Sequence, residues 1–263
     1  VKPILSRANT TALWLPSDTK ENYVPILRTG RPNKYKDTDI TYQFNEFGFR
    51  CDSFNLSSEL PIVFLGCSYT EGIGLPINKV WSNIFLKKIC ETTGKNIPYW
   101  NLALGGKGID NQIGLLHDFI TLHSPQYIFC LFPPPGRREY WFNSICQTWI
   151  PNPVRHKNQP FVNELFSDPD YIKHADYQSV RMLSLIQQTI PESKIIATCW
   201  DDSHSKDTST FYESLASFSN INYFKFPKLR YLDLARDNQH PGEDYHKLVA
   251  EIFWEQSNTF LIW

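Results

Sequence analysis

Pro61–Gly74 reads PIVFLGCSYTEGIG, an apolar run that stops abruptly at Gly66-Cys67-Ser68. Ile62, Val63, Phe64 and Leu65, bounded by Pro61 and Gly66, predict a strand buried on both faces. Ser68 falls just past the carboxyl end of that strand, where open α/β sheets place their ligand sites. A helical pattern follows after the loop. Strand, tight turn, serine and helix together hold a hydroxyl at a fixed angle. Ser68 is therefore a candidate nucleophile, provided that the chain supplies a base.

Downstream of this block the pattern alternates between strand and helix. Val80, Trp81, Ile84, Phe85 and Ile89 share one helical face, which predicts a helix over 78–93. A short strand is expected over 97–102 and a helix over 109–122, with Ile113, Leu116 and Ile120 inward. QYIFCLF (126–132) predicts a third buried strand, stopped by Pro133-Pro134-Pro135. Further expectations are a helix over 177–190, a strand over 194–200, a helix over 210–218, a strand over 221–226 and a closing helix over 242–254. The segment 133–175 shows no clear period and is expected to be an irregular insertion, functional at that length. Such alternation implies an α/β domain over 61–263: a mostly parallel five-stranded sheet with helices on both faces. Residues 1–60, rich in Pro, Thr, Asn and charge, are expected to pack on it as an N-terminal extension. Within the extension, Ile40–Phe44 and Phe47–Phe49 flank Asn45-Glu46 as a hairpin or tight turn.

Composition narrows the function. A net charge of −1 over 263 residues, without a run of one sign, argues against phosphate-driven nucleic-acid binding. The six cysteines have no metal-ligand spacing, and Cys90, Cys130 and Cys199 lie in apolar periodic segments as expected buried thiols. Neither a signal-peptide core nor an apolar run long enough to span a bilayer is visible, so no membrane association and a cytoplasmic or virion-associated location are expected. The aromatic share of 15% is core material first, but leaves large side chains available for a carbohydrate face.

A serine hydroxyl needs a neighbouring base before it attacks. The best-placed base is His240, in Asp237-Asn-Gln-His240-Pro-Gly, between the last strand and the closing helix. Asp237 is positioned to accept from one imidazole nitrogen, fix the tautomer and leave the other nitrogen for the serine. His117, His123, His156, His174 and His246 are weaker candidates, and a metal site from Asp201, Asp202 and His204 lacks a recognised ligand spacing. The glycine-rich stretch Asn101–Gly108 supplies backbone that can present an N–H to a developing oxyanion. It matches neither the dinucleotide fingerprint nor a phosphate-binding loop.

Together these blocks resemble the SGNH/GDSL hydrolases, a family of serine esterases and carbohydrate O-deacetylases with a flavodoxin-like three-layer sandwich. Gly66-Cys-Ser68-Tyr-Thr-Glu-Gly72 is similar to the family's first block, with Cys67 where an Asp usually stands. Gly106 matches the second-block glycine, and Asp237, His240 and the trailing Pro241-Gly242 match the fifth block. Asn45-Glu-Phe-Gly-Phe-Arg50 resembles a segment that many members carry before the serine. The resemblance implies that Ser68 is the nucleophile, that His240 and Asp237 complete a triad, and that the N–H groups of Ser68 and Gly106 form the oxyanion hole. It implies no cofactor and no metal. The third block departs from the family: Pro133-Pro-Pro-Gly136-Arg137-Arg138-Glu139 stands where Gly-x-Asn-Asp is usual. Arg137 or Asn143 is the expected substitute, or else substrate groups take the place or the site is slow or inactive. Alternatively, Arg137 and Arg138 are solvated or pair with Glu139. Tyr140 and Trp141, with Phe142 and Trp149, are the expected substrate wall. The function expected is hydrolysis of carboxylic esters, first of all O-acetyl groups on a carbohydrate or a small-molecule ester. The alternatives are acyl transfer to an acceptor sugar and a catalytically lapsed domain kept for glycan binding or particle assembly.

Overall fold

A computed structural model of the chain describes residues 6–23, 30–54, 61–142, 145–149, 164–165, 168–200, 209–229, 231–258 and 261, and for 141–146 no side chain. Five strands form one sheet: β3 (Ile62–Gly66), β4 (Tyr99–Asn101), β5 (Tyr127–Phe132), β8 (Lys194–Cys199) and β9 (Asn222–Tyr223). Their order is β4-β3-β5-β8-β9. The pairings β3–β4, β5–β8 and β8–β9 run parallel, with Ile62 opposite Tyr99, Tyr127 opposite Lys194 and Ile196 opposite Asn222. This is the flavodoxin-like strand order, in which the chain reverses direction across the sheet after its first two strands. Every residue of β3 and of β5 is buried, which is why both read as unbroken apolar runs instead of alternating ones.

Helices α1 (Ser68–Glu71), α2 (Trp81–Thr93), α3 (Ile109–Ile120), α4 (Pro169–Thr189), α5 (Ser209–Ala216) and α6 (Glu243–Ser257) connect and follow the strands. Helix α2 starts three residues later than its periodicity predicts, because 77–79 form a 3-10 turn and Val80 is extended. The strand expected over 97–102 begins only after Pro98, which has no N–H for the ladder.

Within 133–175, where an irregular insertion is expected, the described residues include regular elements, while 143–144, 150–163 and 166–167 lie outside the described residues. Strands β6 (Arg138–Phe142) and β7 (Ile145–Trp149) form an antiparallel hairpin, with Tyr140 opposite Gln147. Helix α4 begins at Pro169 instead of 177, because Asp168 accepts the Asp170 N–H at 2.9 Å and Pro169 occupies the first turn. Its first turns are polar, so the apolar period starts eight residues after the helix does. The expected partner of 40–44 also changes. Asn45 does turn the chain, its side chain accepting the Phe47 and Phe49 N–H groups. Tyr42–Gln43 (β2), however, pairs with Thr11–Ala12 (β1) instead of with 47–49.

The chain divides into two compact units. The first comprises 1–64, 68–105 and 230–263. Here Trp81 of α2 stacks on Phe253 of α6 at 4.5 Å between centroids, and Phe64 meets Trp81 edge-on. His246 of α6 is buried, and its Nδ1 accepts the Trp81 N–H at 3.0 Å, capping α2 where the valine side chain of Val80 offers no acceptor. Burial first, with His240 and Arg50 adding to it, pushes the His246 pKa down to about 3, which keeps the ring neutral for this role. The second unit comprises 65–67 and 106–229; there α4 packs against α3 and α5, Gln187 of α4 accepts the Ile195 N–H of β8, and Phe211 of α5 meets Phe132 of β5 edge-on. Cys130 and Cys199 are buried free thiols there, whereas Cys90 in the first unit is half-buried. Among the described residues no helix is long and apolar enough to cross a membrane.

Candidate active site

Ser68 opens α1 directly after Gly66-Cys67, and its carbonyl accepts the Gly72 and Ile73 N–H groups at 2.8 and 3.1 Å. A residue at the first turn of a helix that follows a strand end cannot swing away. Ser68 retains 6% of its surface. Two glycines make the turn after it possible. Gly72 and Gly74 both sit at positive φ, where a side chain would also overlap Val80 and Ala235 respectively. Arg50, the last residue of the Asn45–Arg50 segment, donates to the carbonyls of Glu71, Gly72 and Leu75 and so closes this turn from below. Burial lowers its pKa to about 10, which leaves the guanidinium charged at neutral pH.

The acid–base loop is held as tightly. Leu234 and Pro241 bridge antiparallel, and the Ala235 N–H donates to the His240 carbonyl at 2.9 Å. Asn238 takes the left-handed conformation that the tight turn needs, at φ 57°. Asp237 has no exposed side-chain surface. Its Oδ1 accepts the Gln239 and His240 N–H groups at 3.1 and 3.0 Å, while Oδ2 lies 2.5 Å from His240 Nδ1. Burial alone would raise the Asp237 pKa, but the charge and hydrogen bonds of His240, with the Gln239 N–H, hold it below the usual carboxylate value. An ionised Asp237 therefore accepts a hydrogen bond from Nδ1–H, which keeps the proton on Nδ1 and leaves Nε2 as the basic nitrogen of the ring. The His240 ring keeps 15% of its side-chain surface and meets Tyr69, the neighbour of Ser68, edge-on at 5.9 Å. The structure thus brings Asp237 and His240 into contact and sets His240 against the residue next to Ser68.

Asn101 ties the end of β4 to α1, donating to the Thr70 carbonyl at 2.9 Å and accepting the Ala103 N–H at 3.1 Å. Glu71, which is buried, accepts the Gly105 N–H at 2.6 Å and pairs with Arg7 through its other oxygen. Gly105 fits only as glycine, since a Cβ would stand 2.7 Å from Glu71 Oε2 and 2.8 Å from Ile73 Cδ1. That added carbon would lie 3.6 Å from the Ser68 Cβ. Gly106, at φ 76°, makes no backbone hydrogen bond among those described.

Gly106, Arg137 and Tyr140 belong to the second unit. There Cys67 Sγ accepts from Trp200 Nε1 at 3.4 Å, and the Arg137 guanidinium lies 5.5 Å from the centre of the same indole ring. Tyr140 donates its hydroxyl to Gln147 across the hairpin at 2.9 Å. Arg138 is neither solvated nor paired with Glu139, which instead meets Lys107 at 3.2 Å. The Arg138 guanidinium is buried and bonds Asp110, Asp176 and Ser179. The side chains of Trp141 and Phe142, together with Asn143, His156, Asp201, Asp202 and His204, lie outside the described residues.

Sequence reasoning missed Glu71 and did not separate Gly105 from the rest of its glycine-rich stretch. The signal for Glu71 was its place as the one charged residue in 61–74.

No protein-family model matches the chain, and no curated protein does. Among solved structures it is similar to a two-domain esterase (CEX) active on acetylated mannans, at 12% identity and TM-score 0.52 over 78% of this chain and 50% of that one. It is similar to a carbohydrate esterase at 13% identity and TM-score 0.50, over 79% and 68% of the two chains. A lipase, Lip_vut3 from goat rumen metagenome, gives 15% and 0.50 over 75% and 97%. The chain spans about half the length of the mannan esterase. At these identities the likeness establishes the α/β fold, and the three similar proteins are ester hydrolases by name.

Proposed function

We propose that the protein is a serine hydrolase of carboxylic esters, of the SGNH type, and that its substrate is an O-acetylated carbohydrate. The observation that carries the reading is the Asp237–His240 pair at 2.5 Å. It presents an oriented imidazole beside the residue next to a serine that follows a strand end. His240 Nε2 takes the Ser68 Oγ proton as Oγ bonds the ester carbonyl carbon. The carbonyl π pair moves to oxygen, where the N–H groups of Ser68 and Gly106 receive it. Collapse breaks the bond to the alcohol, which leaves with the proton held by His240. Water then repeats the sequence on the acyl-enzyme and releases the acid. Neither a metal nor an organic cofactor has a step in this scheme. The carbohydrate assignment rests on the names of two similar esterases.

A serine-reactive phosphonate tests the chemistry. The adduct is expected on Ser68, and Ser68→Ala is expected to abolish both labelling and deacetylation of acetylated mannan. Unchanged hydrolysis by Ser68→Ala would sink the assignment.

One observation favours a second reading, a lapsed domain that binds glycans. The turn after β5 is Pro133-Pro-Pro-Gly136, without the asparagine that would donate a further hydrogen bond. Loss of such a donor costs about 2.7–4 kcal/mol of transition-state stabilisation. Glycan binding without a phosphonate adduct would favour this reading.

A further inference from the structure

We infer that Asp18 is a positioning residue for the acid–base loop: buried in the N-terminal segment, it fixes through Arg236 the backbone that carries Asp237 and His240. The inference rests on the hydrolase reading above.

Asp18 and Arg236 are 218 residues apart in the chain, yet both side chains are almost wholly buried and they meet in a forked pair. Arg236 Nη2 donates to Asp18 Oδ2 at 2.5 Å and Nε to both carboxylate oxygens at 3.1 Å. The remaining donors reach the Leu13 carbonyl at 2.6 Å and the Thr38 carbonyl at 3.2 Å, with the Trp14 ring 4.2 Å from the guanidinium carbon. Such a fork leaves an arginine one orientation. Arg236 is bonded through its own carbonyl carbon to Asp237, so fixing one fixes the start of the other.

The same pair also grips the nucleophile's segment. The Tyr42 hydroxyl donates to Asp18 and accepts the Gly74 N–H at 2.8 Å. Gly74 in turn accepts the Arg236 N–H on its carbonyl at 2.9 Å. A ring of contacts therefore runs from Asp18 to Tyr42, Gly74, Arg236 and back. It joins the turn after Ser68, at Gly74, to the loop of His240, at Arg236, the residue before Asp237. A second tie comes from the same segment: Asn33 donates to the Ala235 carbonyl at 2.9 Å and to Asn238 Oδ1 at 2.6 Å. Misplacement of reacting groups by about 1 Å costs on the order of 100-fold in rate.

The test compares wild type, Asp18→Asn and Arg236→Lys. Its readouts are kcat and KM on a short acyl ester, the rate of phosphonate labelling, and the low-field proton resonance of the His240 ring N–H facing Asp237. With the fold retained by circular dichroism, Asp18→Asn is expected to lower kcat and labelling about 10–100-fold, with little change in KM. The low-field resonance is expected to broaden or vanish. Arg236→Lys, which keeps the charge but not the fork, is expected to fall between the two and carries the test if Asp18→Asn does not fold. A folded variant whose kcat and resonance match wild type overturns the inference, and so does a change confined to KM. If wild type neither turns over nor labels, the hydrolase reading fails, and the resonance alone then decides: its loss in the variants supports the clamp and its persistence overturns it.

Discussion

Glu71 shows how much one buried carboxylate can organise. It receives the Gly105 N–H on one oxygen and the Arg7 guanidinium on the other, and so sets the peptide plane that precedes Gly106. Truncating it leaves the half-buried Gly105 N–H without its acceptor, which costs at most about 1–3 kcal/mol. Glu71→Ala is therefore expected to lower the urea midpoint and, through a loosened 105–106 peptide, kcat. Glu71→Gln keeps an acceptor for Gly105 and is expected to recover most of the loss. Equal damage from both variants would mean that the Arg7 pairing matters more than the peptide contact. Nothing in the periodicity of SYTEGIG marks Glu71, because a helix of four residues has no second turn to show which face is buried.

Between elements, the hairpin β6–β7 is anchored by the buried Arg138, which bonds Asp110 of α3 and both Asp176 and Ser179 of α4. Removing one partner of a buried pair leaves an uncompensated charge and costs about 3–5 kcal/mol. Arg138→Ala is expected to lose that much in urea denaturation. The double variant Arg138→Met with Asp176→Asn, which removes both charges, is expected to recover a large part of it. A double variant as unstable as the single one would show that the fork's geometry, not charge pairing, holds the hairpin. That 138–142 and 145–149 form strands was not legible in the sequence for a physical reason. The hairpin strands alternate without a clean apolar face because one of their inward groups is an arginine, satisfied only by acids on two other elements.

For the molecule as a whole, acid stability follows from Glu243 at the start of α6. Burial alone would raise its pKa, but the Tyr35 hydroxyl, Lys247 and Lys79 bring it down to about 2. A carboxyl with a depressed folded-state pKa contributes stability above its unfolded value, lost as pH falls through the folded one. The stability advantage of wild type over Glu243→Gln is therefore expected to be constant above about pH 5 and to shrink between about pH 4.5 and 2. A gap in melting temperature that stays constant across that range would contradict this. Because Tyr35 is one of the three partners, the effect also reports the docking of the N-terminal segment.

Strand, turn, serine and helix were legible around Pro61–Gly74, as was the Asp237–His240 spacing, because each depends on residues within a turn or a strand of one another. Apolar runs and three-residue offsets encode local geometry directly, and the parallel α/β sheet follows from their alternation. The partners of Arg138, Arg236 and Glu71 were not legible. A charged side chain carries no address for a partner: Asp18 and Arg236 meet across 218 positions only because the fold removes both from water, where an unpaired charge is too costly to leave. The choice of Gly105 as the glycine pressed against Glu71, and the pairing of Tyr42–Gln43 with Thr11–Ala12, belong to that second class. Local patterns set the elements and the order of the site's residues; burial and long-range hydrogen bonding chose which charges hold that site in shape.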